Sequence, residues 1–250
     1  NEKLQSGSNI QLTLDVELQS ILVDAMSQEV QKTNANSANG IIMDPFTGEI
    51  LAMASIPTFN PNHYYKYGMS TFANKAISES YEPGSTYKLI SMAAILESNL
   101  FSINDQIFCE EGAYEIIPNK IIHDHEPHQY LTLSEIFMHS SNIGIAKIVK
   151  ELGANHIYNF SRKFGFGIKT GVELPNEASG ILRPIDDWSG LSTTSISIGQ
   201  EISVNTLQLA SAYSATANGG YLMKPVIIKS IQNQDVNTTT SPEVIRKVMS

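Results

Sequence analysis

The chain has 250 residues, 42% of them hydrophobic, which is enough for a substantial core without disulfide or metal staples. That apolar content excludes a disordered chain, and the 16 Lys and Arg against 25 Asp and Glu, a formal charge of −9, argue against nucleic acid or an anionic membrane surface as partner. The single cysteine, Cys109, excludes an intramolecular disulfide framework and a cysteine-rich zinc site, and no apolar run of about 18 residues is present to span a membrane.

Residues 1 to about 10 read as a linker from a preceding region, and residues 11–250 as one partial domain. Asp15 suits a helix N-cap, and the helix it opens runs to about Gln31 with Leu18, Ile21, Leu22, Ala25 and Met26 on one face. Two apolar runs flank Asp44-Pro-Phe-Thr-Gly48 and predict a β-hairpin with a four- to five-residue turn. Residues 56–82 are loop-rich. Pro83-Gly84 then precedes a segment that is apolar almost all round, from Leu89 to Leu96, which predicts a central helix. A loop extends to about 130. Thr132 and Glu135 form a capping-box pattern for a short helix ending near His139. A second helix runs from about Asn142 to Leu152 and stops at Gly153, and a third covers about 154–164 before the Phe164-Gly-Phe-Gly167 turn. Residues 205–217 read as a helix, Pro225–Ile231 as a strand, 233–240 as an Asn/Thr-rich turn, and Ser241-Pro242 as the start of a last helix.

Four groups of residues suggest chemistry. Ser85 follows Pro-Gly at the mouth of the apolar helix, where its own backbone N–H is one of the unpaired donors of the first turn. That N–H suits an oxyanion formed by attack of the Ser85 hydroxyl. Lys88 lies one turn on, and desolvation against an apolar helix favours the neutral amine that a serine nucleophile needs as base. About one Ser-x-x-Lys is expected by chance in a chain this long, and a capping serine beside a snorkelling lysine is the plainer reading of the spacing alone. Ser140 and Asn142 sit at a helix–helix joint, where a hydroxyl can relay a proton and a carboxamide can bind a substrate amide. Ser-x-Asn also occurs at Ser37, Ser102 and Ser203, and helix capping explains the Ser140 copy equally well. Lys169-Thr170-Gly171 follows a turn, where a strand at the edge of an active site would be expected. His123-Asp-His-Glu-Pro-His128 offers metal donors with no distant fourth ligand, a pattern common in exposed polar loops.

In order, the chain reads NIQLTLD with Gln19, DPFTGEILAMASIPTFNPN, YEPGSTYK, HSSNIG, FGFGIKTGVELPNEASG, and SIGQEISVNTLQLASAYSATANGG followed by KP. This collinear set, over about residues 8–250, resembles the transpeptidase domain of class B penicillin-binding proteins. Glu82 in YEPGS resembles the septal, division-type branch. The resemblance implies an α/β fold of the α+β type, an antiparallel sheet packed between helices with a mostly helical subdomain. It implies cross-linking of peptidoglycan stem peptides through an acyl-enzyme, inhibition by β-lactams, and no metal or organic cofactor. Carried onto this chain, it makes Ser85 the nucleophile, Lys88 its base, Ser140 the proton relay and Asn142 the holder of the substrate or lactam amide. It further implies partners in cell-division and peptidoglycan-synthase complexes, and an extracytoplasmic (periplasmic) position behind an N-terminal membrane anchor.

Two departures qualify the resemblance. Lys169-Thr-Gly171 matches a landmark that the family carries between its second and third motifs, so the family's third motif and C-terminal strands are expected beyond Ser250. The family's Val-Thr-Pro-Leu-Gln reads here Val204-Asn-Thr-Leu-Gln208. The rival readings are a class D β-lactamase-like or β-lactam-sensing domain, and a non-catalytic module of the division machinery.

Overall fold

In the computed structural model, which describes residues 7–233 and 237–250, the strands are β1 (Asn9–Leu12), β2 (Ala38–Met43), β3 (Ile50–Ile56), β4 (Gln106–Phe108), β5 (Ala113–Ile117), β6 (Lys120–His123), β7 (Tyr130–Thr132), β8 (Tyr221–Met223), β9 (Ile228–Gln232), β10 (Asn237–Thr239) and β11 (Val244–Lys247). The helices are α1 (Val16–Thr33), α2 (Lys75–Ser78), α3 (Lys88–Glu97), α4 (Leu133–Met138), α5 (Asn142–Leu152), α6 (Ala154–Lys163), α7 (Ser192–Ser197) and α8 (Thr206–Ala217). They fall into two units. The first comprises Asn1–Glu79, Lys169–Ala178 and Asn205–Lys247; the second comprises Ser80–Ile168, Ser179–Val204 and Val248–Ser250.

The first unit carries antiparallel strands covered by helices. Asp15 accepts from the N–H groups of Glu17 and Leu18 and so caps α1, while Asn34 ends the helix in the left-handed region. The inward stripe of α1 is Leu18, Leu22 and Met26; Ile21 and Ala25, expected on the same face, are exposed. Gln19 is tied to β3, donating to Met53 O and accepting from Met53 N–H at 2.9 Å each. β2 and β3 form the expected hairpin, turned by Asp44 Oδ1 accepting from Phe46 N–H at 2.8 Å. Gly48 is required there: its φ is 78°, and a Cβ would lie 2.3 Å from Lys224 O. Along β3 the burial alternates, with Ile50, Ala52, Ala54 and Ile56 inward, as a strand's two-residue period demands. Ile50 joins Ile77 of α2, Leu207 of α8, Val172 and Ile227 in the core of this unit. β2 is half-buried at every position, less covered than its apolar sequence predicts. β1, β9 and β10 make a three-stranded sheet, stitched to β3 by Thr13 Oγ1, which donates to Ile50 O at 2.6 Å.

Three expectations in this unit are corrected. Asn9 and Ile10 pair with Gln232 and Ile231, so the last two residues of the expected linker are already strand; residues 1–6 lie outside the described residues. Asn237–Thr239 of the Asn/Thr-rich stretch form β10 on β9, while 234–236 lie outside the described residues. Ser241-Pro242 starts no helix: Val244–Lys247 pair antiparallel with β8, because the β-branched Val244 and Ile245 suit an extended chain and β8 offers an open ladder edge. Asn205 accounts for the departure at 204–208. Its Oδ1 accepts from Gln208 N–H at 2.8 Å and Gln208 answers in a capping box, so the asparagine caps α8.

The second unit is mostly helical. The loop expected before residue 130 contains a small hairpin, β5–β6, enclosed by the antiparallel pair β4–β7, with strands of three to five residues too short to show a pattern. The capping box of Thr132 and Glu135 is present in both halves and opens α4, and Gly153 ends α5 at φ 89°. α3 is buried at Ile90, Met92, Ala93, Ala94 and Ile95, in line with its apolar sequence, although Leu96 is exposed. Among the described residues no helix is long and apolar enough to cross a membrane.

Candidate active site

Pro83-Gly84 does not lead straight into an α-helix. Gly84–Tyr87 form a 3₁₀ turn, and α3 begins at Lys88. Gly84 takes φ 58°, which glycine adopts without penalty. Tyr87 anchors the turn from beneath: it is fully buried, its OH donates to Ser161 Oγ at 2.5 Å, and burial pushes its phenol well above the ordinary range. The chain after α7 holds the turn from the side. Gly84 N–H donates to Gly199 O at 2.9 Å, Tyr81 and Val204 exchange backbone bonds at 3.0 and 2.9 Å, and Glu82 Oε1 accepts from Glu201 N–H at 2.9 Å. A Cβ on Gly199 would lie 2.0 Å from Gly84 O, so only glycine fits. Ser85 stands exposed on this braced turn, and among the described residues neither its hydroxyl nor its backbone N–H has a hydrogen-bond partner. A free hydroxyl beside a free N–H is the arrangement that attack on a carbonyl and capture of the resulting oxyanion require.

Lys88 faces the other way from solvent. It is 2% exposed, and its three N–H donors reach Ser140 O at 2.5 Å, Ser140 Oγ at 3.0 Å and Asn142 Oδ1 at 2.6 Å. Desolvation lowers its pKa from 10.5 to about 8, against the opposing pull of the Asp124 carboxylate. No hydrogen bond joins Lys88 to Ser85 in this conformation; all three donors are spent on the joint between α4 and α5.

That joint is where the predicted Ser140 and Asn142 lie. Ser140 turns the chain at φ 54°, a left-handed conformation that costs a non-glycine residue about 1–2 kcal/mol, and the turn presents both its carbonyl and its hydroxyl to Lys88. The carboxamide of Asn142 is gripped at both ends, accepting from Lys88 Nζ and donating from Nδ2 to His123 O at 2.8 Å. The structure therefore brings Lys88, Ser140 and Asn142 into one network, and Ser85 precedes Lys88 by three residues on the same 3₁₀–α3 segment.

Asp124 was legible only as part of the His123–His128 cluster, and its place is different. Its Oδ1 accepts from Asn142 N–H at 2.5 Å and Ile143 N–H at 3.0 Å, and its Oδ2 accepts from Ser141 Oγ at 2.6 Å. Ser141 Oγ in turn accepts from Gly144 N–H at 2.9 Å. A carboxylate and a serine thus share the N-terminus of α5. Eighteen residues separate Asp124 from Asn142, so no local pattern announces the pair. Of the remaining cluster, Glu126 and His128 approach His139 from outside it, with donor atoms within 4.8 Å of one another. His123 contributes its backbone and Asp124 the helix cap, so the six-residue run does not act as one ligand set.

Lys169-Thr-Gly171 lies on no strand. Glu177, 6% exposed, accepts from Thr170 N–H at 2.6 Å and from Gly171 N–H at 3.2 Å, which makes the triplet one wall of an irregular turn in the first unit.

Comparison with known proteins bears on the family and the fold. Residues 39–250 match the family described as the penicillin binding protein transpeptidase domain. The chain is 32% identical over 244 residues to a probable peptidoglycan D,D-transpeptidase, PbpC, of Pseudomonas aeruginosa, covering 98% of this chain and 43% of the relative. It is 34% identical over 243 residues to the penicillin-binding protein PbpB of Mycobacterium tuberculosis, covering 96% of this chain and 36% of that one. The crystal structure of penicillin-binding protein 3 of Mycobacterium tuberculosis superposes over 100% of this chain and 57% of its own with a TM-score of 0.90 at 32% identity, and its complex with aztreonam with a TM-score of 0.89. The chain thus spans less than half the length of those curated relatives. With the fold, the ordered motifs and these likenesses in agreement, the chain belongs to the transpeptidase-domain family of class B penicillin-binding proteins.

Proposed function

We propose that the protein is a serine D,D-transpeptidase that cross-links peptidoglycan stem peptides and is acylated by β-lactams. The observation that carries this reading is the unpartnered Ser85 hydroxyl and N–H on a braced turn, next to a buried lysine whose amine is tied to Ser140 and Asn142. With a pKa of about 8, roughly a tenth of Lys88 is neutral at pH 7. The neutral amine keeps two N–H groups and gains a lone pair. One of its three acceptors is released, and the lone pair can turn to the Ser85 proton.

The reaction then balances as two acyl transfers. Lys88 takes the Ser85 proton as Oγ attacks the carbonyl carbon of the penultimate D-Ala, and the oxyanion forms against the Ser85 N–H. As the carbonyl re-forms, the bond to the terminal D-Ala breaks. The departing amine receives the proton from Lys88 through Ser140 Oγ, which already lies 3.0 Å from Nζ. Asn142, held at both ends, presents its carboxamide to the peptide bond beside the scissile one. An amine from a neighbouring stem peptide attacks the ester carbonyl in the second transfer, its proton returns by the same relay, and Ser85 is freed. A β-lactam enters as the first acyl donor, its ring nitrogen standing in the place of the leaving amine. The solved aztreonam and ampicillin complexes of the Mycobacterium tuberculosis relative support this reading.

We place the reaction on the extracytoplasmic side of a bacterial cytoplasmic membrane, behind an N-terminal anchor, in company with division and peptidoglycan-synthesis proteins. Relatives named as FtsI homologues and as stage V sporulation protein D support a division-type role. Labelling the protein with a fluorescent penicillin tests the assignment: the wild type takes one covalent label, and Ser85→Ala takes none. Full labelling of the alanine variant would remove Ser85 from the reaction, and rapid turnover of penicillin would favour a hydrolysing relative.

A further inference from the structure

We infer that Asp124 is a positioning residue for this site, its carboxylate both fixing the α4–α5 joint and holding the charge of Lys88. The inference rests on the transpeptidase reading for its effect on rate, and on the hydrogen bonds of Asp124 to the α4–α5 joint, which in turn holds Lys88, for its geometry. Three hydrogen bonds place the carboxylate: Asn142 N–H at 2.5 Å, Ile143 N–H at 3.0 Å and Ser141 Oγ at 2.6 Å. All three partners belong to the Ser140–Asn142 corner or the residue after it, so the carboxylate sets where α5 begins. Where α5 begins sets where Asn142 aims its carboxamide and where Ser140 aims its hydroxyl. The backbone of the neighbouring His123 adds the fourth tie, accepting from Asn142 Nδ2 at 2.8 Å. Residues 123 and 124 thus form a bracket that grips Asn142 by both its main chain and its side chain.

The same carboxylate acts on Lys88 through space. Among the described residues Asp124 is the one charge that opposes the desolvation of that lysine. The other ionisable groups on the elements packed against α3 are occupied or turned outward: Arg162 of α6 donates to Phe166 O at 3.2 Å, Lys163 lies over the Phe160 ring, Tyr158 lies against Trp188, and Lys150 and Glu151 of α5 are exposed. Lys147 of α5 pairs with Glu110 at 2.6 Å, His156 of α6 bonds Ala94 O at 2.9 Å, and Glu135 of α4 closes its capping box on Thr132. Tyr87 donates to Ser161, and α7 brings no ionisable side chain. Removing the carboxylate's charge leaves only the three hydrogen bonds from Nζ to Ser140 O, Ser140 Oγ and Asn142 Oδ1 to favour the protonated amine, so its pKa falls.

Two variants separate position from charge. Asp124→Asn keeps an oxygen to accept from Asn142 and Ile143 and loses the charge, together with the acceptor for the Ser141 hydroxyl; Asp124→Ala loses the whole bracket. In the protein, the acylation rate with a fluorescent penicillin rises with pH as Lys88 loses its proton, with a midpoint near pH 8. The expected result for Asp124→Asn is that this rising limb moves to lower pH. For Asp124→Ala it is the same move of the limb together with a plateau rate about 10²-fold lower, the scale of a misplaced catalytic group. A nitrogen NMR titration of the Lys88 amine in the same variants must show the same downward shift, and this readout needs no acylation. An Asp124→Asn protein whose lysine titrates as in the wild type overturns the inference, even if its rate has dropped. If the wild type is not acylated at all, the transpeptidase reading fails, while the lysine titration still decides the role of Asp124.

Discussion

Lys88 shows how one residue can be read from sequence in chemistry but not in geometry. Its spacing from Ser85 and the apolar helix behind it predict a desolvated amine, and burial does lower its pKa to about 8. The expected contact with Ser85 is absent, because Ser140 O, Ser140 Oγ and Asn142 Oδ1 supply three acceptors for three donors. A lysine whose folded pKa lies below its unfolded value of about 10.5 weakens the fold wherever it must be charged. The unfolded chain binds the extra proton between pH 8 and 10.5, so stability rises with pH across that window and is unaffected by Lys88 above it. The scale of the effect is up to roughly 3 kcal/mol. Urea denaturation of wild type and Lys88→Met as a function of pH checks this: the wild type gains stability relative to the variant between pH 8 and 10.5. Parallel curves would contradict the buried-charge assignment.

At the scale of elements, short-range signals and long-range contacts part company. Asp15, Thr132 with Glu135, and Asn205 with Gln208 cap α1, α4 and α8 where their patterns say, because a cap is settled within four residues. Residues 244–247 follow a Pro that suits a helix start and still form a strand, because β8 lies alongside them. The turn that carries Ser85 is a similar case. Its form depends on Gly199, more than a hundred residues away, whose missing side chain lets the backbone of Gly84 approach. Gly199→Ala must push a Cβ against Gly84 O, so the turn moves and acylation by penicillin falls by about 10²-fold or more. Gly153→Ala is the control, since that glycine has a comparable φ of 89° and nothing within 4 Å of an added Cβ. It loses about 1–3 kcal/mol of stability to backbone strain and keeps its acylation rate. Equal acylation rates for the two variants would show that the Gly84–Gly199 contact does not matter to Ser85.

For the molecule as a whole, low charge and a high content of Ser, Thr and Asn take on a use. The proposed site consists of two hydroxyls, a carboxamide, a buried amine and one capping carboxylate, with no cluster of cations of the kind that phosphate recognition needs. On the transpeptidase reading, such a site holds an acyl group until an amine arrives. Mixing the protein with excess penicillin is therefore expected to release or bind one equivalent in a burst and then stop. Continued linear consumption after the burst would mark a hydrolase.

Residues 39–250 carry their family membership in the order of short strings, each weak alone, and that order is a property of the sequence alone. So are the hairpin at Asp44–Gly48, the apolar α3 and the helix caps, because each depends on residues a few positions apart. Only the tertiary structure decided that Asp124 leaves its neighbouring histidines to cap α5, that Lys88 binds the Ser140 corner and not Ser85, and that Lys169-Thr-Gly171 closes on Glu177. Each of these turns on which buried donor meets which acceptor. Buried polar groups must find partners wherever the folded chain brings them, and sequence spacing does not record that.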